Sequence, residues 1–280
     1  MKGVEIVYDG ESSHRQRWRR MWRDLKSAPP LARQWVRRGF AADHRPSLLG
    51  WLLLFLPPLG LVLWATLAQR GELIRPGELG MSFPVFVLVG VVLWQTFVEA
   101  MNLQIETLAT ELPTLAKLDL PPEAFILAAL GRVGIHLAAK LALVALAMAI
   151  LGARPGWGVL LAPLAILALV ALGTAFGLLL APFAALYRDV SRALQASITA
   201  WFFLTPIFYS VPEAGLLRAL VRANPVSPLL VTARELIVQG TSAAEGWWLI
   251  LALLLVVVLL PLAWFVYRLA LPIVIERTGA

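Results

Sequence analysis

The chain has 280 residues and a formal net charge of +7; 60% of its residues are hydrophobic and only 15% are charged. An ordinary soluble domain is about half apolar and about a quarter charged, so this composition excludes a typical soluble protein and predicts a membrane protein. The chain contains no cysteine, which excludes disulfide bonds, thiolate catalysis and cysteine-ligated metal sites.

The N-terminal segment 1–47 is basic and holds eleven of the 24 lysines and arginines. These bases directly precede the first apolar stretch, which is typical of a membrane-flanking segment and argues against nucleic-acid binding. We expect no secretory signal peptide, because the segment has no continuous apolar core. Trp18, Met21, Trp22 and Leu25 recur at helical spacing between arginines. This pattern predicts a basic amphipathic helix in the membrane interface, with a solvated basic tail as the alternative.

Six apolar stretches follow, and each is close to the roughly 20 residues that a membrane-spanning helix needs. They lie at 48–68, at 83–101, within 124–151, and at 159–186, 193–211 and 247–267. With a cytoplasmic N-terminus, sixteen lysines and arginines fall on the inner side and six on the outer side, as the positive-inside rule requires. The sequence therefore predicts an all-α membrane protein. In it, 48–268 forms a six-span domain, 269–280 is a cytoplasmic tail, and both termini face the cytosol.

Two connections lie on the predicted inner side. The longer one, 102–123, is expected to be helical around 102–111 and to break at Pro113. The shorter one, "YRDVSR" at 187–192, follows the fourth span and is predicted to be a tight turn with its arginines at the lipid headgroups.

The outer connection 210–246 is predicted to contain two short helices. The first presents an apolar face made of Leu216, Leu217, Leu220 and Val221. The second is expected to open with Ser227 as its cap and Pro228 as its first residue, to run to about 238, and to end near Gly240.

The sequence carries no catalytic or metal-binding motif that we recognise. It has three histidines with no pair at metal-ligand spacing, no G-x-S-x-G nucleophile turn and no G-x-x-x-x-G-K-[ST] phosphate loop. Glu99 is the only acid within a predicted span, which argues against a carrier driven by protons or sodium ions. We therefore predict no catalytic residue, no metal and no cofactor on this chain. The sequence "GTAFG" at 173–177 is predicted to let two helices pack closely.

Five separated stretches resemble one family. They are "VRRGFAADHRPSLLGWLLLFLPPLG" (36–60), "LWQTFVEAM" (93–101), "LAKLDLPPE" (115–123), "LYRDVSRALQASITAWFFLTPIFYSV" (186–211) and "NPVSPLLVTARELIVQG" (224–240). Each is similar to a stretch in the membrane subunits of type-two ABC exporters for polysaccharides, O-antigens and teichoic acids. The resemblance covers about residues 33–240, in the family's order and spacing.

The resemblance implies a homodimer of six-span permease subunits in the bacterial inner membrane, paired with two ABC ATPase subunits. ATP and magnesium would bind to those partners, which agrees with the missing phosphate loop on this chain. Family members export a glycan carried on undecaprenyl diphosphate. A lipid-linked glycan such as an O-antigen is therefore the implied substrate, and membrane lipids are the implied surroundings.

The resemblance also implies roles for two connections. The inner connection would contact the ATPase, and the residues expected to couple the two subunits are Glu106, Leu108, Glu111, Leu112 and Lys117. The outer helices within 210–246 would form a gate over the exit. "YRDVSR" would fix the inner ends of the fourth and fifth spans.

Two sets of residues are candidates for contact with the substrate. The aromatics Trp201, Phe202, Phe208 and Tyr209 form two helical stripes on the fifth span, along which a sugar chain would slide by stacking. The alternative is a set of lipid-facing or interfacial aromatics.

Cations form the second set. Arg132, His136 and Lys140 are spaced by four and share one helix face, where they would receive the diphosphate of the lipid carrier. The basic segment adds Arg38 and Arg45 to these predicted diphosphate contacts. The alternative is that Lys140 snorkels to the inner interface while Arg132 only anchors the helix.

A second function class stays open on the sequence alone. A polytopic glycosyl- or acyltransferase acting on lipid-linked sugars would need a catalytic acid or histidine near a membrane face. Glu99, Asp189 and His136 are the candidates, and the sequence indicates no clear partner for any of them.

Overall fold

The computed structural model describes residues 14–43, 48–72, 81–118, 120–153, 155–241 and 246–278. Within these ranges the chain is all-helical, as predicted, with ten α-helices and one short 3-10 helix at Trp157–Leu160. The α-helices are α1 (His14–Ser27), α2 (Pro29–Asp43), α3 (Leu48–Arg70), α4 (Phe83–Lys117), α5 (Pro122–Ile150), α6 (Ala162–Leu186), α7 (Arg188–Leu204), α8 (Gly215–Ala223), α9 (Val226–Val238) and α10 (Gly246–Thr278).

Four of the described helices, α4, α5, α6 and α10, are long and apolar enough to cross a membrane. They correspond to the second, third, fourth and sixth predicted spans. Helix α3 covers the first predicted span. Helix α7 has only 17 residues and ends at Leu204, seven residues before the predicted end of the fifth span, because 205–209 is bent. The count of six spans therefore stays a prediction.

Helix α4 is the centre of the bundle and packs against α6 through two glycines. A Cβ atom at Gly173 would overlap the carbonyl oxygen of Phe97, and one at Gly177 would lie 2.5 Å from the carbonyl oxygen of Met101. Such distances are far below any ordinary contact, so only glycine allows this approach. The predicted close packing at "GTAFG" is confirmed.

The predicted break at Pro113 is wrong, because α4 continues through this proline to Lys117. Proline removes one backbone hydrogen bond and strains the preceding turn. Here Pro113 lies on the exposed face, while Leu112 and Leu115 on the other face are buried in the core. Tertiary packing of that face outweighs the local cost. With 35 residues, α4 is about 52 Å long at 1.5 Å per residue, well beyond the roughly 30 Å of a bilayer core.

A helix, α1, is observed where the N-terminal amphipathic helix is predicted, and its apolar residues are partly covered by the protein. Trp18 stacks on Phe265 of α10 at 5.4 Å, Met21 is buried, and Trp22 meets Trp264 edge-on at 5.7 Å. Trp22 nevertheless remains 54% exposed. Contact with the membrane interface stays a prediction for this exposed part.

The described part of the connection 210–246, which is predicted to lie on the outer side, folds as two helices, as predicted. Helix α9 ends at Val238 as expected, and Gly240 follows with a φ of 75°, a conformation that suits glycine. The first residue of α9 differs from the prediction, because the helix begins at Val226. The backbone N–H of Val226 donates to Asn224 Oδ1 at 3.0 Å. Asn224 therefore accepts the hydrogen bond at the start of α9 that the prediction gave to Ser227, and Ser227 is buried.

Two segments that are predicted to lie on the inner side differ in secondary structure from the prediction. The turn at 187–192 is reduced to Tyr187, because α6 ends at Leu186 and α7 begins at the next residue. Asp189 is exposed and lies 3.9 Å from Arg192, one turn further along α7. The described part of the predicted tail, 269–278, continues α10 as a helix.

Candidate functional site

A charged cluster joins α4 and α5 inside the apolar bundle. His136 Nδ1 contacts Glu99 Oε1, and the Lys140 ammonium donates a hydrogen bond to Glu99 Oε2 at 2.8 Å. Lys140 is only 4% exposed. Residues four apart share a helix face, which is why His136 and Lys140 reach the same carboxylate. Pairing leaves little uncompensated charge, so the cluster is tolerated among apolar helices.

The cluster lies deep within the α4–α5 hairpin. Glu99 precedes the end of α4 at Lys117 by 18 residues, and Lys140 follows the start of α5 at Pro122 by 18 residues. At 1.5 Å per residue, both side chains are therefore about 27 Å from the turn that joins the helices.

A cavity of about 360 Å³ lies beside the cluster, between α3 and α4. Its lining is mixed, since Leu54 and Pro57 of α3 and three apolar residues of α4 alternate with polar groups. The apolar residues of α4 are Trp94, Val98 and Leu103. The polar lining residues are Gln95, Glu99, Asn102 and Glu106 of α4 and Lys140 of α5. The cavity thus offers hydrogen-bond donors and acceptors within helices that are otherwise apolar.

A second cavity of about 210 Å³ lies nearer the hairpin turn, between α2, α4 and α5. Its polar lining consists of Arg38, Thr107, Thr110, Glu111 and Arg132. Arg132 lies against α2, since a Cβ atom at Gly39 would meet its Cδ at 3.3 Å. Guanidinium groups match the geometry of phosphate oxygens, and hydroxyls add further donors. This cavity is therefore suited to a phosphate-bearing group.

The aromatic residues of α7 and of the bent segment 205–209 belong to a packed cluster that includes Trp94 and Phe97 of α4. Trp201 meets three rings edge-on at centroid distances of 5.2 to 6.1 Å: Phe97, Phe176 and Trp94. Its indole N–H donates to Asn224 Oδ1 at 2.9 Å. Phe202 meets Phe208 at 5.3 Å, and Phe208 is only 8% exposed. The Tyr209 hydroxyl donates to the carbonyl oxygen of Phe203 at 3.1 Å.

Comparison with known proteins decides the family. The model of a family described as "ABC-2 type transporter" matches residues 45–238. The chain belongs to this family. A curated relative, the O-antigen export system permease protein RfbA of Myxococcus xanthus, is 24% identical over 227 residues, covering 79% of this chain and 85% of that protein. Membership identifies the chain as a multi-pass membrane protein and implies an ABC ATPase as its partner.

Two of the residues predicted to contact a diphosphate come together in this ABC-2 transporter, and two do not. Arg38 and Arg132 line the smaller cavity, whereas Lys140 lines the larger one and pairs with Glu99. Arg45 lies outside the described residues. The Lys140 ammonium donates to Glu99, and its position relative to the membrane interface stays a prediction.

The predicted ATPase-coupling residues differ in exposure. Glu106 and Lys117 are exposed and Glu111 is half-buried, while Leu108 and Leu112 are 1% and 6% exposed and belong to the core of this chain. The two leucines hold α4 in the bundle, so only the polar residues offer a surface to a partner. A coupling role for this segment stays a prediction.

A second charge network ties three helices together close to the α4–α5 turn. Arg268 of α10 contacts Asp24 of α1, and its Nε lies 3.2 Å from Oε1 of the buried Glu123. Trp264 Nε1 donates to the same oxygen at 3.1 Å. The network fixes the first turn of α5 against α1 and α10.

Sequence reasoning missed three features of this ABC-2 transporter chain. It gave Glu99 no partner, although an acid and a lysine in neighbouring spans are a signal for pairing. It missed Asn224 as the residue that joins α7 to α9. It also left out Arg234, whose Nη1 donates to the carbonyl oxygen of Pro206 at 2.8 Å and whose guanidinium lies 3.6 Å from the Phe86 ring centroid. Burial lowers the pKa of Arg234 to about 9.

No three carboxylate or imidazole side chains within the described ranges are grouped as the ligands of a metal ion would be.

Proposed function

We propose that the chain is the permease subunit of an ATP-driven exporter that moves a glycan linked to undecaprenyl diphosphate to the outer face of the bacterial inner membrane. Family membership and the O-antigen export relative support this reading. Two copies of the chain would pair with two ATPase subunits that bind ATP and magnesium. The observation that carries the proposal is the cavity flanked by Arg38 and Arg132, which suits the diphosphate of such a carrier.

The proposed topology has six spans and cytoplasmic termini. Helix α3 has 23 residues and is about 34 Å long, which is sufficient for a span. Helix α7 together with the bent segment 205–209 would supply the fifth crossing. The α4–α5 turn then lies in the cytosol, where the exposed Lys117 at the end of α4 faces an ATPase. The buried helix α9 and its neighbour α8 would lie at the outer side as the gate.

The proposal is tested by reconstituting the full chain with its ATPase in nanodiscs and adding undecaprenyl diphosphate at increasing mole fraction. ATP hydrolysis by the wild type should rise with the lipid. Arg38→Gln should raise the half-stimulating fraction about tenfold, because a charge-assisted hydrogen bond is worth roughly 1.5–3 kcal/mol. Arg37→Gln is the matched control, since Arg37 is the exposed neighbour outside the cavity. A wild type that ignores the lipid would contradict the proposal.

A polytopic enzyme acting on lipid-linked sugars is the second candidate, favoured by the contact between Glu99 and His136. A carboxylate can orient an imidazole so that its other nitrogen serves as a general base. Purified chain without an ATPase would then convert a lipid-linked sugar into a new product, and His136→Asn would abolish that conversion. Absence of any product while the reconstituted complex responds to the lipid would reject this candidate.

A further inference from the structure

The polar residues of α4 that line the larger cavity form one continuous stripe, namely Gln95, Glu99, Asn102 and Glu106. Their intervals of four, three and four keep them on one helix face. The stripe is about 16 Å long at 1.5 Å per residue. Gln95 and Glu99 lie within the second predicted span, where polar side chains are costly to expose to lipid and usually face the bundle interior, a water-filled cavity or a transport path. Asn102 and Glu106 continue the stripe into the predicted inner connection. We name this set the α4 stripe.

The charges around the cavity argue against an anionic occupant. Glu99 and Glu106 are carboxylates, and the facing Lys140 already donates to Glu99. A diphosphate in this position would be repelled. The amides of Gln95 and Asn102 can each donate and accept hydrogen bonds, and the carboxylates accept them from hydroxyl groups. An uncharged ligand rich in hydroxyls uses all of these groups.

We propose that the α4 stripe binds sugar units of the exported glycan through their hydroxyl groups. This inference rests on the proposed function, which supplies a glycan as the substrate. A sugar that enters a bundle of apolar helices leaves bulk water, and each hydroxyl without a partner is then destabilised. The stripe replaces those lost hydrogen bonds. A volume of about 360 Å³ also falls within the range of roughly 300–1,000 Å³ that is usual for small-molecule sites.

The hairpin then presents two sites of different chemistry. Arg132, in the smaller cavity, and Lys140, beside the stripe, are eight residues apart on α5, or about 12 Å along its axis. The smaller cavity suits the diphosphate because its two guanidinium groups outnumber its one carboxylate, that of Glu111. The α4 stripe suits the sugars because it combines amides with carboxylates that reject the diphosphate.

The test compares two lipids on the same complex of the full chain and its ATPase in nanodiscs. One lipid is undecaprenyl diphosphate, and the other is the same lipid carrying a neutral tetrasaccharide. For the wild type we expect half-stimulation of ATP hydrolysis at a lower mole fraction of the glycan-bearing lipid. For the double variant Gln95→Leu, Asn102→Leu, the ratio of the half-stimulating fraction of the glycan-bearing lipid to that of the sugar-free lipid should be about tenfold higher than for the wild type. Two neutral hydrogen bonds together account for a change of this size.

A matched control is Gln104→Leu, which makes the same change on the opposite face of α4, where Gln104 packs against Gly177 of α6. It should keep the wild-type ratio between the two lipids. A stripe variant whose ratio stays within twofold of the wild type overturns the sugar site and leaves the proposed function intact. An equal shift for both lipids, or the same shift in the Gln104 variant, assigns the effect to helix packing and also overturns it.

Two further outcomes distinguish failure of the sugar site from failure of the proposed export function. If the half-stimulating fractions change with the sodium concentration but do not differ between the two lipids, the α4 stripe binds a cation, and the proposal is overturned. A wild-type complex that responds to neither lipid would remove the proposed function, and the sugar site with it.

Discussion

The two faces of α4 differ in kind. On one face, Phe97 and Met101 lie against glycines of α6, and the aromatic cluster around Trp201 fills the remaining space. On the other face, a cavity lies along the helix and a buried charge cluster links it to α5. The first face, which we call the closed face, is packed through close backbone contacts at Gly173 and Gly177. The second face, which we call the open face, has both a cavity and polar groups. We therefore propose that the open face contacts the ligand and that the closed face holds the bundle together.

The largest expected effect comes from Gly173→Val, which disrupts the packing of α6 against the closed face of α4. The new Cβ would overlap the carbonyl oxygen of Phe97 and lie 3.0 Å from the Cβ of Ala100. Overpacking usually costs about 1–3 kcal/mol, and backbone overlap adds to this, so the free energy of unfolding should fall by roughly 3 kcal/mol or more. Thermal unfolding and the yield of monodisperse protein in detergent measure the effect.

Gly134→Val is the control for this change, because no atom of the described residues, apart from the adjoining backbone of α5, lies within 4 Å of a Cβ atom at Gly134. It should cost well under 1 kcal/mol, since valine is a better helix former than glycine. Equal stability of the two variants would show that the closed face tolerates an extra side chain, and the contrast between the faces would be lost.

The next effect concerns the charge cluster on the open face. Glu99→Gln leaves the Lys140 ammonium buried without its carboxylate, and breaking a buried pair in this way costs about 3–5 kcal/mol. Adding Lys140→Met removes the orphaned charge. The double variant should therefore be more stable than Glu99→Gln alone.

A double-mutant cycle on the free energy of unfolding in detergent measures this coupling, with Lys140→Met as the second single variant. Stabilities that simply add would mean that Glu99 and Lys140 do not depend on each other. In that case the cluster would not hold the hairpin together.

The sequence predicted correctly those structural features that depend on nearby residues. Features with local causes were predicted correctly: the N-terminal helix from the spacing of Trp18 and Trp22, the end of α9 near Gly240, and the close packing at Gly173 and Gly177. Each depends on helical periodicity or on the conformational freedom of glycine, and both are visible in a short stretch of sequence.

Features that depend on contacts between distant segments were missed. Pro113 was expected to end a helix, yet the burial of Leu112 and Leu115 holds that helix together. Glu99 and Lys140 are 41 residues apart, so their pairing requires knowledge of the hairpin register. Arg38 and Arg132 were predicted to share a ligand, but the cavity that they line could not be foreseen without the packing of α2 on α5.

The smallest expected effect tests the aromatic residues, whose role in a sugar channel stays a prediction. Trp201→Phe keeps a ring in the cluster and removes the N–H that donates to Asn224. Asn224 retains other bonds, since its Oδ1 accepts from the Val226 N–H at 3.0 Å and its amide donates to Thr205 at 2.9 Å. The variant should therefore lose only about 1 kcal/mol of stability, the net value of one neutral hydrogen bond.

The reconstituted complex then separates support from substrate contact at Trp201. If the aromatic face only supports α4, hydrolysis stimulated by the glycan-bearing lipid, measured per folded complex, should match the wild type. Tyr209→Phe is the companion variant, because it removes one hydrogen bond to Phe203 from the same aromatic region. A loss of stimulation per folded complex with Trp201→Phe, absent from Tyr209→Phe, would place the sugar path on the aromatic face. The closed face would then have to open during transport, because Trp201 reaches a glycan only if its contacts with Phe97 and Phe176 separate.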